Sequence, residues 1–124
     1  MTVYLFGNPD VETDALPPRL LPELRRRFAD VAFELKDPNE EWDVPEELII
    51  IDTVIGIAAP VVFTDLRHFS DSPSVSVHDF DVIANLRLLE KLGRLKKVRI
   101  IGLPPGTGRE AALDFAEAEL AKTR

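Results

Sequence analysis

The sequence predicts an α/β fold: a three-layer α/β/α sandwich around a mostly parallel five-stranded sheet. Two patterns and one bound predict it. Apolar runs of strand length alternate along the chain with stretches whose apolar residues recur at helical spacing, the order that builds layered α/β domains. One run, Leu48-Ile49-Ile50-Ile51, is aliphatic on both faces, as a strand buried in the middle of a parallel sheet must be. The bound is length: 124 residues, read as a single domain over 1–124, bury about two-thirds of the surface of the unfolded chain, enough for a real core.

The elements follow in order. Residues 2–6 form the first strand and Gly7-Asn8-Pro9-Asp10 its turn, because Gly and Asn tolerate unusual backbone angles and Pro cannot continue a ladder. A helix comes next. Pro17 and Pro18 suit its first turn, and Leu16, Leu20, Leu21, Leu24 and Phe28 form its apolar stripe. Pro22 removes an internal hydrogen bond, so the regular helix is expected to start near it or to kink there. Residues 31–35 make a short second strand near a sheet edge, with Ala32 and Glu34 opposite Val31, Phe33 and Leu35. Residues 36–47 carry two prolines and six acids and read as a surface connection, with a helical turn around 40–42. The central strand occupies 48–52, and 61–64 and 98–101 are the fourth and fifth strands. The polar, serine-rich stretch 67–77 is a loop of the length that often carries function. Asp79 or Asp81 can cap the helix that buries Val82, Ile83, Leu86, Leu89 and Leu92 and ends at Gly93. A last helix spans 109–122, with Ala112, Phe115, Ala116 and Leu120 inward.

Composition removes several function classes. Acids outnumber bases 22 to 15 for a net charge of −7, which argues against nucleic acid and makes a metal ion or a basic peptide the more natural partner. The Arg25-Arg26-Arg27 cluster stands beside Glu23 and reads as a solvated face. Cysteine is absent, so disulfides, thiolate metal sites and cysteine nucleophiles are excluded. No apolar run approaches the ~18 residues of a membrane span. The start Met1-Thr2-Val3-Tyr4-Leu5-Phe6 lacks the basic opening of a signal peptide, and the expectation is a cytoplasmic protein.

Three potential metal ligands fall where an open parallel sheet would gather them. Asp14 follows the first strand and its turn, Asp52 ends the central strand, and His78 precedes a helix. Ligands bind in the crevice outside the carboxyl ends of such strands, and two carboxylates with one imidazole suit a borderline divalent ion such as nickel, zinc or cobalt. Each residue has a plainer use. Asp14 could be a helix N-cap or first-turn acid, Asp52 could cap the loop backbone at 53–55, and His78 could sit at a helix N-terminus as a neutral acceptor. His68 reads as a surface residue. Pro104-Pro105-Gly106-Thr107-Gly108-Arg109 looks loosely like a phosphate loop but lacks the Gly-Lys-Ser/Thr end. Gly7-Asn8-Pro9 lacks the later glycines of a dinucleotide fingerprint.

With these residues placed, the chain resembles the hydrogenase maturation endopeptidases, which remove a C-terminal peptide from the large subunit of nickel-iron hydrogenases. The resemblance rests on Gly7-Asn8 followed by Asp14, on Ile49-Ile50-Ile51-Asp52-Thr53, on Ser76-Val77-His78-Asp79-Phe80 and on Ile100-Ile101-Gly102-Leu103-Pro104-Pro105. It implies that Asp14, Asp52 and His78 contact nickel, with Asp37 as a further acid in the catalytic set. It also implies a partner, the large-subunit precursor, whose own nickel would complete the site, and a protein that works as a monomer or weak oligomer without nucleic acid or membrane. The chain differs from the family pattern at Thr13, where an acid is usual, at Ala15 and Pro17, which replace glycines, and at Lys36-Asp37-Pro38-Asn39, which keeps the acid of the usual Asp-Gly-Gly-Thr and lacks its glycines. The rival readings are a noncatalytic nickel-binding or maturation-chaperone member of the same fold, and a nucleotide-binding α/β module using the Pro104 to Arg109 loop.

Overall fold

The structure is a computed structural model. It describes the chain except for residues 9, 12–14, 38–41, 55, 65–76 and 124, and gives the backbone alone for 77–83 and 123. Along the chain lie β1 (Thr2–Phe6), α1 (Leu16–Arg27), β2 (Ala32–Lys36), β3 (Glu47–Thr53), β4 (Val61–Phe63), α2 (Val77–Lys91), β5 (Lys97–Leu103) and α3 (Arg109–Thr123).

The sheet order is β2-β1-β3-β5-β4, with the aliphatic run of β3 in the middle as its sequence requires. β1 pairs in parallel with β2 and β3, and β3 pairs in parallel with β5 from Glu47↔Lys97 to Thr53↔Leu103. Only β4 is antiparallel, a short edge strand set against β5. The α/β class and the mostly parallel sheet are those expected.

Strand side chains alternate between faces, so β3 feeds two cores. Ile49 and Ile51 join Val3, Leu5, Ile101 and Leu103 under α1 and α3, where Leu20, Leu24, Leu113 and Leu120 close the layer. Leu48 and Ile50 point the other way with Tyr4, Phe6 and Ile100, against Leu86 of α2 and Leu95. Trp42, Val44, Phe63 and Leu89 pack around that second core.

Some boundaries differ from expectation. α1 starts at Leu16 with Pro17 and Pro18 at its first positions, and Pro22 lies inside it, so the helix does not wait for Pro22. An interior proline costs about 3 kcal/mol. Burial of Leu16, Leu20 and Leu24, worth ~1.5–3 kcal/mol each, outweighs it. β2 begins at Ala32, because Val31 is still in the turn and donates its N–H to the Phe28 carbonyl. β2 is an edge strand as anticipated, and its Phe33 carbonyl accepts a hydrogen bond from Arg25 Nη2 at 3.1 Å. α2 already includes Val77, so Asp79 and Asp81 lie within the helix instead of capping it. Its other end is as expected. Gly93, at φ +74°, supplies the left-handed residue, Gly93 N–H reaches the Glu90 carbonyl and Arg94 N–H the Leu89 carbonyl, closing a Schellman motif. The helical turn expected around 40–42 falls on residues 40 and 41, which lie outside the described residues, as does the loop over 67–76.

Candidate functional site

From β1 the chain leads to β2 on one side, and the sheet continues to β3 on the other. Loops leaving neighbouring strands toward opposite sides open a crevice at their carboxyl ends, the usual ligand site of this architecture. The β1 exit has the local structure its residues dictate. Gly7 takes φ 154°, Asn8 Oδ1 accepts the Asp10 N–H at 2.9 Å, and the Asn8 carbonyl accepts the Val11 N–H at 3.1 Å.

Asp52 stands at the other side of this crevice, at the carboxyl end of β3. Its residue is 5% exposed, and with Thr53 it makes the polar end of an otherwise aliphatic strand. A buried carboxylate must be compensated by hydrogen bonds or a cation. One such bond is local: Thr53 N–H donates to Asp52 Oδ1 at 2.9 Å, the loop-capping use foreseen for this residue. That bond fixes the carboxylate's orientation. By alternation Asp52 shares its face with Leu48 and Ile50, the face covered by α2. Its register partner in β5 is Gly102, which puts no side chain beside it.

The other expected site residues are placed unevenly. Asp14 lies outside the described residues; the N-cap position of α1 is Ala15, and no acid occupies the helix's first turn. His78 was expected just before a helix. Its backbone instead lies in the first turn of α2, and its side chain is outside the described part. α2 has 15 residues, about 22 Å of helix. Five residues after its last turn β5 begins, with seven residues, about 23 Å of strand. The two lengths match, and α2 packs Leu86 and Leu89 against the second core. Asp37 is exposed directly after β2, with β1 between its strand and β3, and its carbonyl accepts Trp42 Nε1–H at 2.9 Å. His68 is outside the described residues. Among the described residues no three His, Cys, Asp or Glu side chains are grouped to hold a metal ion.

Two features of this end were not read from the sequence. Trp42 packs on Phe6 with ring centroids 5.0 Å apart, covering β1 where a helix would otherwise lie. Its acidic surroundings hid an apolar role. Phe63 packs over Gly102, and a glycine within the apolar run of β5 was the available signal. The Pro104 to Arg109 loop also has its chemistry committed: Thr107 Oγ1 donates to the Pro104 carbonyl at 2.8 Å, stabilising its own turn. Of the Arg25 to Arg27 cluster, Arg25 and Arg26 are exposed, as a solvated face requires, and Arg26 and Arg27 are paired with acids. Glu23 binds Arg26 and Arg27, and Arg27 Nη1 reaches Glu117 of α3 at 2.5 Å. Those hydrogen bonds from Arg26 and Arg27 hold the Glu23 carboxyl down at about 2.

Two solved structures share this fold. The hydrogenase maturating endopeptidase HybD from E. coli superposes with a TM-score of 0.68 at 19% identity, covering 98% of this chain and 93% of its own. The solution structure of an endopeptidase from Escherichia coli gives 0.68 at 18% identity, covering 99% and 94%. At such identity the likeness is one of fold, and it extends over nearly the whole of both chains. No protein-family model matches the sequence, and no curated protein matches it.

Proposed function

We propose that this chain is an endopeptidase of hydrogenase maturation, acting in the cytoplasm on the C-terminal end of a nickel-iron hydrogenase large-subunit precursor after nickel insertion. The observation that carries the reading is the Asp52 carboxylate, buried at the end of the central strand of a fold shared with such an endopeptidase along 98% of the chain. A carboxylate held at the end of an aliphatic strand is a favourable neighbour for a divalent cation brought by a partner.

In this reading Asp52, with Asp14 and His78, contacts nickel that the precursor already carries, so the metal is part of the substrate. Oxygen and imidazole donors fit a borderline divalent ion. The Thr53 N–H bond to Oδ1 holds the Asp52 carboxyl group in one orientation, reducing the reorganisation needed on contact. The chain has no cysteine to serve as nucleophile. A water activated by a carboxylate, with Asp37 as the further acid, is the attacking group on the scissile carbonyl. Burial strengthens these charge interactions, because the surrounding dielectric is low.

Incubation with nickel-loaded and nickel-free large-subunit precursor tests the proposal. Cleavage of the nickel-loaded form alone is the expected result. Nickel-dependent binding without cleavage would replace it with the chaperone reading, and neither binding nor cleavage would remove both.

A further inference from the structure

Charge is not spread evenly along this acidic chain. Residues 87–99 hold six of its 15 lysines and arginines and only one of its 22 acids. Lys96, Lys97 and Arg99 are committed to Glu46, Glu47 and Glu119. Lys91, in the last turn of α2, and Arg94, just past it, are exposed and make no ion pair among the described residues. A cation in a helix's last turn complements the macrodipole, which accounts for Lys91. It does not account for what lies beside it. Leu88 is 55% exposed and Leu92 59%, the highest values among the exposed large apolar side chains. The spacing that predicts an inward Leu92 fails here. Its N–H donates to the Leu88 carbonyl at 3.0 Å, so it continues the helical turn and stands one turn beyond Leu88 on the outer stripe. Leu86 and Leu89 take the inward positions against the second core. The other exposed large apolar residues, Met1, Val11, Leu35 and Val61, fall on four different segments, so among the described residues only α2 and its end set two together. A lone exposed leucine needs no explanation, but an adjacent pair framed by unpaired cations does.

The patch is also apart from the candidate site. α2 ends at Lys91 and β5 begins at Lys97, the register partner of Glu47 at the start of β3. Asp52 stands five residues further along β3, about 17 Å of strand. We propose that Leu88 and Leu92, with Lys91 and Arg94, form a docking surface for an amphipathic helix of a partner protein whose apolar stripe is bordered by acidic residues. Charge complementarity selects that occupant. Two leucines one turn apart present a ridge that fits the groove between apolar side chains of another helix, and the cations beside them meet its carboxylates. A second copy would bring the same excess of cations to a contact of stripe on stripe. An anionic membrane would repel a protein of net charge −7. So small a surface makes a transient contact. It stands independently of the peptidase reading.

The test uses two synthetic peptides patterned as amphipathic helices, one with Leu on one stripe and Glu flanking it, the other with Lys in place of Glu. Each is titrated into the isotope-labelled full chain, followed by amide chemical shifts. The acidic peptide is expected to shift residues 84–97 and to bind at least about tenfold more tightly than the basic one. Half-molar salt should weaken it about fivefold or more. Leu88→Ser with Leu92→Ser should leave the melting temperature unchanged and weaken binding about tenfold. Lys91→Glu with Arg94→Glu should reverse the preference, favouring the basic peptide. Equal affinity for the two peptides, no binding of the acidic one at millimolar concentration, or unchanged binding by the leucine variant overturns the proposal. So does a dimer of the protein alone that the leucine variant abolishes, which assigns the surface to a second copy. Stronger binding to vesicles of phosphatidylcholine and phosphatidylglycerol than to the acidic peptide overturns it in favour of a membrane.

Discussion

The two faces of the sheet are built differently. On one face α1 and α3 lie side by side, joined by the Arg27–Glu117 ion pair, over a core made mainly of Leu, Ile, Val and Ala. On the other, α2 covers β3 and β5, while the β1 side is covered by Trp42 and Val44 on an irregular segment. Here the cover is pinned by aromatic residues with polar tips. Tyr4 donates its hydroxyl to the Asp43 carbonyl at 2.9 Å, Trp42 donates to the Asp37 carbonyl, and Lys36 Nζ lies 5.1 Å from the centre of the Tyr4 ring. Asp52, Gly102 and Phe63 all belong to this second face. The contrast teaches a division of labour. A face sealed by two helices stores stability, and a face closed by one helix and an aromatic-pinned segment leaves room for a polar residue at the sheet's end.

The division can be broken deliberately. Leu24→Ala, in the sealed face, should cost about 2–5 kcal/mol in chemical denaturation, because it leaves a cavity that two packed helices cannot close. At a temperature where the variant remains folded, precursor processing should be unchanged. Gly102→Ala should cost about 1–3 kcal/mol, by overpacking against Phe63 and Val54. Unlike the first variant, it should also slow processing, since Gly102 is the register partner of Asp52. Trp42→Ala removes the Phe6 contact and should cost about 1–2 kcal/mol, less than a fully buried aromatic because Trp42 is half-buried. Amide exchange of β1 should then quicken more than that of α3.

The smallest effect is electrostatic. The Glu23 carboxyl is held at about 2 against an ordinary 4.5 by hydrogen bonds from Arg26 and Arg27. Its folded value is depressed, so the stabilisation is present above pH 4.5 and is lost as pH falls toward 2. Glu23→Gln should lower the melting temperature slightly above pH 4.5, since a pair this open to solvent contributes little, and leave it unchanged near pH 2. It should flatten the acid limb of a melting-temperature profile in that window. An unchanged limb would assign the acid loss to other carboxylates.

How much of this was legible in the sequence follows from which residues act locally. The unbroken aliphatics of β3 declared a central strand, and the Gly7-Asn8 turn and the Gly93 stop declared themselves by backbone chemistry. The start of α1 was harder. Pro22 argues against a helix on local grounds, and only the tertiary burial of Leu16 and Leu20 reverses it. The start of α2 ahead of His78 and the antiparallel pairing of β4 were equally invisible, since both depend on contacts between segments distant in sequence. For the candidate site, Asp52 stands out because a carboxylate after four aliphatics has few other uses, and its burial at the strand end was legible from that run. Trp42 and Phe63 were missed because an aromatic residue's role over a cleft is set by the register of strands it does not belong to.

The central claim, that the Asp52 end of the second face is a peptidase site and not a structural feature, is tested most directly by Asp52→Asn. Asparagine keeps an oxygen able to accept the Thr53 N–H, so the local bond and the melting temperature should survive within a few degrees. What disappears is the charge. The account predicts a loss of about a hundredfold or more in kcat/KM on nickel-loaded precursor. Full processing by a normally folded Asp52→Asn protein would contradict it.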